Sequence, residues 1–223
     1  MNSDSSKFEP KHDPTALPAG LPVPVDDGVC DHLGRPPFDV LPDIVLPATD
    51  GNVVRLRAAS ERPLVLFFYP RTGIPGEPPD MGFHGENWDS IPGARGCTPQ
   101  SCGFRDFFGE FARLGVTVFG VSTNSIAHQR EFKARMHMPF EFLSDFELLL
   151  VRQLRLPTFE WPLPDGEQRT LVRRMSMVLT PGVDGLGRIA KVWYPVFPPN
   201  ENASSVLAWL DARTNARSKV GSA

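Results

Sequence analysis

Apolar residues fall into two kinds of pattern along this chain. "LVLFFY" (Leu64 to Tyr69) is a continuous apolar run bounded by Pro63 and Pro70, as in a strand buried on both faces, and "VTVFGVST" (Val116 to Thr123) reads as another buried-type strand. "VVRL" (Val53 to Leu56) alternates as an edge strand does, and a short strand is expected near Phe140 to Leu143. Elsewhere the apolar positions recur at helical spacing. Phe104, Phe107, Phe108 and Phe111 stripe a helix running to about Leu114, and helices follow from about Ile126 to Met136 and from Asp145 to Leu154. "TLVRRMSMVLT" (Thr170 to Thr180) and "RIAKVWYPV" (Arg188 to Val196), joined by "PGVDGLG", read as a hairpin, and a closing helix from Ala203 to Arg213 packs Val206, Leu207 and Leu210. Strand alternating with helix predicts an α/β fold with a largely parallel sheet.

Pro and Gly set the outer limits of that domain. Residues 1–37 are rich in Pro, Asp and Gly without periodicity, which predicts an extended arm, either partly disordered or draped over the domain, and Cys30 lies in it. Residues 38–213 form the domain itself, and 214–223 a polar tail. Within the domain, "RTGIPGEPPDMGFHGENWDSIPGARG" (Arg71 to Gly96) is so dense in Pro and Gly that it reads as a long loop, of the kind that is usually functional or disordered. Its His84, Glu86, Trp88 and Asp89 either line a substrate entrance or belong to a surface flap packed on Trp88.

Composition narrows the partners. A chain of 223 residues with 41% hydrophobic and 22% charged residues is sized for one domain with extensions. The net charge of -3 comes without a clustered Lys/Arg stripe, so nucleic acid is not an expected partner. The N-terminus lacks the basic and apolar regions of a secretory signal, and no apolar run approaches the ~20 residues of a membrane span, so a soluble cytoplasmic protein is expected. Three cysteines are too few for a secreted disulfide framework, which makes a close pair reactive or metal-binding before it is structural. His12, His32, His84, His128 and His137 are scattered and no second ligand pair is present, so a metal site is not expected.

The close pair is Cys97 and Cys102, in "GARGCTPQSCGFRDFF". A helix is expected to begin at or just after Cys97, with Thr98 as a cap and Pro99 in the first turn. A thiol there meets unpaired backbone N–H groups and the positive end of the helix dipole, which favour the thiolate, and Arg95 and Arg105 are close enough in sequence to add positive potential. On an ideal helix two Cα atoms five residues apart are separated by roughly 8.7 Å. A disulfide usually wants less than about 7 Å, so the two join only if the start of the helix unwinds. That suits a catalytic cycle with a conformational step; the plainer alternative for Cys102 is a small core residue beside Phe104.

"LFFYPRTG" and "GCTPQSCGFRDFFGEFARLGVTVFGVST" resemble the peroxiredoxin family, and most of all its bacterioferritin-comigratory or Q-type branch, in which a Tyr-Pro strand end precedes a "GCTxxxCxFRD" helix. The similarity continues through "FLSD" (Phe142 to Asp145) and "RMSMVLTPGVDGLGRIAKVWYPV", covering roughly Phe38 to Leu210. The resemblance implies a thioredoxin-like fold, with a central mixed, mostly parallel sheet flanked by helices, and reduction of hydrogen peroxide or organic hydroperoxides without metal or prosthetic group. Cys97 matches the peroxidatic cysteine, which becomes a sulfenic acid, and Cys102 the resolving cysteine, which condenses with it to an intramolecular disulfide. A thioredoxin or glutaredoxin-type reductant would restore both thiols, and members of the branch are monomers or weak homodimers. Arg174 matches the arginine that holds the thiolate and polarises the peroxide, and Arg173 should face the other way, since strand side chains alternate.

One departure stands out. The family pattern runs Pro, three residues, Thr, two residues, Cys, but here Pro70 is separated from Cys97 by the long loop and the position three before the cysteine is Ala94. Either Thr72 folds back over the cysteine, or Thr98 or a backbone N–H supplies the donor, or the site manages with fewer donors. Cys30 is a free thiol, unless the arm carries it across the site to form a mixed disulfide with Cys97. Two other functions keep the same residues: a thiol-disulfide oxidoreductase, which would favour a Cys-x-x-Cys pair, and a non-enzymatic redox sensor whose disulfide reshapes the helix.

Overall fold

The computed structural model of the chain describes residues 16–75, 86–163 and 166–220. From the N-terminus its elements are β1 (Val45–Pro47), β2 (Val53–Arg55), α1 (Leu56–Ala59), β3 (Leu64–Phe68), α2 (Glu86–Asp89), α3 (Cys97–Asp106) and α4 (Phe108–Arg113). There follow β4 (Thr117–Ser122), α5 (Ile126–Arg135), β5 (Glu141–Ser144), α6 (Leu149–Leu154), β6 (Thr158–Pro162) and β7 (Gln168–Val172). The chain closes with β8 (Met175–Pro181), β9 (Gly187–Trp193), a 3-10 turn (Pro199–Glu201) and α7 (Asn202–Val220).

Five strands form the central sheet in the order β5-β4-β3-β8-β9. Pairing of β3 with β4 and of β4 with β5 is parallel, while β3 with β8 and β8 with β9 is antiparallel. The sheet is mixed, as the resemblance implies, but the pairings divide evenly where a parallel majority was expected. The reason is local: the strand–helix alternation from Leu64 to Ser144 builds the parallel half, whereas the short turn between β8 and β9 permits only an antiparallel pair.

The all-apolar run of β3 is explained by burial on both faces. Val65, Phe67 and Tyr69 point into one core cluster with Phe104, Phe111, Phe132 and Val206, contributed by α3, α4, α5 and α7. Leu64, Leu66 and Phe68 point into the other, closed by Leu56, Leu150, Leu154 and the arm residues Cys30 and Leu33. In the first cluster Phe104 stacks on Phe67 with ring centroids 4.3 Å apart, so the aromatic stripe read from the sequence is what seats α3 on the sheet. Truncating a buried Phe to Ala typically costs about 3–5 kcal/mol.

Several boundaries differ from the sequence reading. The single helix expected from Cys97 to about Leu114 is two, broken at Phe107, whose backbone (φ -98, ψ 12) leaves the helical region. Asp145 does not begin a helix; its carboxylate accepts the N–H groups of Leu150 and Val151, at 3.0 and 2.9 Å, and caps the shorter α6. The run Thr170 to Thr180 is not one strand either. It divides at Arg173–Arg174, with β7 pairing β6 in a separate two-stranded sheet and β8 joining the central one. β6 is a strand the apolar pattern does not announce, because Pro157 precedes it and Pro162 ends it, yet Trp161 in it is buried. The described part of the arm is draped: His32 Nε2 bonds the Leu154 carbonyl at 2.8 Å.

Candidate active site

The chain leaves β3 at Tyr69, passes through the long loop and enters α3 at Cys97, which places the cysteine at the carboxyl end of the central strands, where α/β sheets present their sites. Gly96 makes the turn. Its φ of 105° lies in the left-handed region, and a Cβ there would sit 2.3 Å from Pro199 Cγ and 2.9 Å from Leu17 Cδ2. Only glycine threads the chain beneath that turn and into the helix. Thr98, expected as the cap, is instead the second helical residue, half-buried, while Pro99 does occupy the first turn.

Cys97 is buried, and Arg174, itself 3% exposed, brings its Nη2 to 3.2 Å from the sulfur. The rest of the guanidinium is spoken for: Nε donates to the Gly93 carbonyl at 3.2 Å, Nη2 also to the carbonyls of Ala94 (3.0 Å) and Arg95 (3.2 Å), and Nη1 to Gln100 Oε1. A planar fork of donors suits this convergence of acceptors. Arg173 turns away, donating to the Thr158 carbonyl at 3.2 Å and lying over the Phe159 ring. The alternation holds although the two arginines join β7 to β8 and do not sit inside one strand.

The positive charge beside Cys97 therefore comes from Arg174. Arg95 pairs with Asp89 at 3.4 Å, and Arg105 bonds Asp106 at 2.9 Å and the Met136 carbonyl, so neither serves the sulfur as their sequence proximity suggested. Cys102 lies buried further along the intact α3, and none of the three cysteines is in a disulfide.

Thr72 is directed to another partner. Its hydroxyl is 3.0 Å from His128 Nε2, and its carbonyl 2.9 Å from the same nitrogen, while Arg71 Nη1 lies 3.2 Å from Nδ1. Arginine can only donate, so Nδ1 is the acceptor and Nε2 carries the hydrogen. Burial first, and then the Arg71 charge, holds the imidazole well below its ordinary range, at about 4. Tyr69 ends β3 beneath the site; burial, and to a lesser degree the neighbouring Cys97, pushes its hydroxyl well above the usual tyrosine range and keeps it neutral. Among the described residues, no group of His, Cys, Asp and Glu is arranged to hold a metal ion.

The sequence profile of redoxin matches residues 37–207. The chain belongs to the redoxin family. It is 29% identical over 202 residues to peroxiredoxin Q, chloroplastic, of Oryza sativa subsp. japonica, covering 89% of this chain and 78% of that one. Over 180 residues it is 29% identical to peroxiredoxin bcp1 of Schizosaccharomyces pombe, covering 77% and 82%. Among solved structures, the bacterioferritin comigratory protein of Xanthomonas campestris, described for its alkyl peroxide reduction activity, superposes with a TM-score of 0.57 at 25% identity, covering 78% of this chain and 98% of that one. This redoxin is accordingly a peroxiredoxin of the Q or bacterioferritin-comigratory type, acting on peroxides with a thiol reductant.

Where this redoxin carries its long loop, the described end is a packed flap. Trp88 is buried edge-on against Trp161, with ring centroids 5.1 Å apart, in a cluster with Ala94 and Leu171. Ala94 thus trades a threonine hydroxyl for packing, and its carbonyl for a bond to Arg174. His84 and the Glu86 side chain lie outside the described residues. Cys30 sits in the core cluster on the opposite side of the sheet from Cys97. Burial, reinforced by Asp27, Asp26 and Asp31, pushes its thiol up to about 12. What crosses the site from the arm is Leu17, so a Cys30–Cys97 disulfide does not fit this arrangement.

Sequence reasoning missed Gln100, His128, Asn202 and Ser176. Gln100 was findable, since it stands one helical turn after Cys97 on the same face. Nothing in one sequence pairs His128 with Arg71 and Thr72, which are separated from it by 57 and 56 positions.

Proposed function

We propose that Cys97 is the sulfur that attacks the hydroperoxide, with Arg174 as its charge partner and Cys102 as the resolving thiol. The observation that carries this reading is the 3.2 Å approach of Arg174 Nη2 to Cys97 Sγ at the first residue of α3. The Cys97 thiolate attacks the terminal peroxide oxygen, the O–O bond breaks, and the leaving alkoxide or hydroxide takes up a proton, giving an alcohol or water and a Cys97 sulfenic acid. A Cys102 thiolate then attacks the sulfenic sulfur and forms the disulfide, the departing hydroxide taking up a proton to leave as water, and a dithiol supplies the two electrons and two protons that restore both cysteines.

Arg174 steadies the charge that develops on the breaking O–O bond, the kind of preorganised stabilisation that usually dominates such sites. With Thr72 bonded to His128 and Ala94 in the threonine's place, donor duty passes to backbone N–H groups: those of Cys97 and Thr98 have no partner within the helix. Thioredoxin or a glutaredoxin is the reductant in this scheme, organic hydroperoxides are substrates beside hydrogen peroxide, and the protein works as a monomer or weak homodimer in the cytoplasm.

The test is turnover. With excess thioredoxin, thioredoxin reductase and NADPH, many equivalents of hydroperoxide should be consumed per protein. Oxidation that stops after one equivalent favours the redox sensor instead, and reduction of protein disulfides without peroxide consumption favours the oxidoreductase.

A further inference from the structure

Behind Arg174 a line of buried side chains reaches the C-terminal helix. Arg174 Nη1 donates to Gln100 Oε1, Gln100 Nε2 donates to Asn202 Oδ1 at 3.0 Å, and Asn202 Nδ2 donates to Ser176 Oγ at 2.9 Å. Gln100 and Ser176 have no exposed surface and Asn202 only 3%. The polarity of this line is forced. A glutamine amide presents either an oxygen or an NH2 group, and only the oxygen can face a guanidinium. Arg174, which can only donate, therefore leaves the NH2 end of Gln100 to face Asn202, whose Oδ1 accepts it and anchors it, and Asn202 Nδ2 is left to donate to the Ser176 hydroxyl.

The same stretch of chain touches α3 at two further points. Pro199 closes over Gly96, and the Asn200 carbonyl lies 3.3 Å from where a Cβ on Gly103 would be. The C-terminal segment therefore grips the helix before Cys97, one turn after it, and beyond Cys102.

We propose that Asn202 is a positioning residue of the peroxide site, acting through Gln100 to hold the Arg174 guanidinium against Cys97. The inference rests on the Cys97–Arg174 site proposed above. It also deepens it: Gln100 belongs to the stretch of α3 between the two cysteines, so the unwinding that a Cys97–Cys102 disulfide demands withdraws Gln100 from Asn202 and Arg174 together. Asn202 thus ties the reactive geometry to the helical state of α3 and releases it when the disulfide forms.

Asn202→Leu and Asn202→Asp separate this from a structural role. Aspartate accepts from Gln100 Nε2 with one oxygen and from the Ser176 hydroxyl with the other, which preserves the line; leucine, of similar size, does neither. Two stoichiometric rates are read on the full chain by mass: oxidation of Cys97 by hydrogen peroxide, and its alkylation by iodoacetamide, which involves no O–O bond. Asn202→Leu should slow the peroxide reaction by on the order of 10- to 100-fold, as small misplacements of a catalytic group do, and slow alkylation by a clearly smaller factor, because only the peroxide reaction needs charge steadied on a breaking O–O bond. Asn202→Asp should keep most of the peroxide rate. The proposal is overturned if Asn202→Leu is oxidised as fast as the native protein, if both of its rates fall by the same factor, or if Asn202→Asp falls as far as Asn202→Leu. Should the leucine variant fail to fold, Asn202→Ala, which removes the same acceptor from Gln100 without adding a branched side chain, takes its place under the same criteria. Neither rate requires turnover, so a protein that does not cycle counts against the peroxidase reading and leaves the Asn202 result standing.

Discussion

Arg174 Nη2 reaches the Cys97 sulfur at 3.2 Å across 77 positions of sequence, and the same nitrogen donates to the carbonyls of Ala94 and Arg95. In the proposed scheme one guanidinium serves the chemistry and also closes the end of the inserted loop, so its loss should be felt twice. Arg174→Met is expected to slow Cys97 oxidation by peroxide by ~10²-fold or more. It also leaves buried carbonyls without donors, at about 1–3 kcal/mol each. Arg174→Lys restores the charge but not the fork, so it should recover part of the rate and little of the stability. Stopped-flow oxidation and chemical unfolding of the three proteins check both halves.

His128 provides a dependence of stability on pH. Its folded imidazole is held at about 4 against an ordinary value of 6.5, so the folded state binds fewer protons than the unfolded state between those values. The stabilisation is fully present above about pH 6.5, is lost as pH falls toward 4, and amounts to roughly 3 kcal/mol by linkage. Unfolding free energy measured across this window should fall with the slope of one extra proton taken up on unfolding. His128→Gln should flatten that slope, and a variant that keeps the full slope would assign it to the carboxylates.

Gly96 should tolerate no side chain. With φ at 105° and Pro199 Cγ 2.3 Å from the position of a Cβ, Gly96→Ala must shift either the turn or the start of α3. A left-handed alanine costs roughly 1–2 kcal/mol, and the clash adds to it. Lowered unfolding midpoint and slowed peroxide oxidation should appear together, whereas Gly109→Ala, where no atom lies within 4 Å of the new Cβ, should leave the rate unchanged.

Much of this was legible in the residues. The β3 run, the Phe104–Phe111 stripe and the Cys97–Pro99 helix start are local patterns, and local patterns survive folding because they state which faces are buried. What one sequence does not carry is pairing at a distance. That Arg174 grips the carbonyls of Gly93, Ala94 and Arg95, that Thr72 is held by His128, and that Gln100 looks back to Asn202 all follow from tertiary placement. The Arg95 and Arg105 charges misled in a related way: closeness to Cys97 in sequence does not place them at its sulfur, and Asp89 and Asp106 occupy them instead. The Ala94 departure was visible as a missing hydroxyl, but its role in the Trp88–Trp161 cluster was not.

The central claim is that Cys97 performs the first chemical step. Hydroperoxide consumption should be followed for the native protein, Cys97→Ser and Cys102→Ser with excess thioredoxin system, and the oxidised products weighed intact. The account predicts no turnover in Cys97→Ser and, in Cys102→Ser, a protein heavier by one oxygen at Cys97 with no internal disulfide. Peroxide turnover in Cys97→Ser equal to that of the native protein would contradict it.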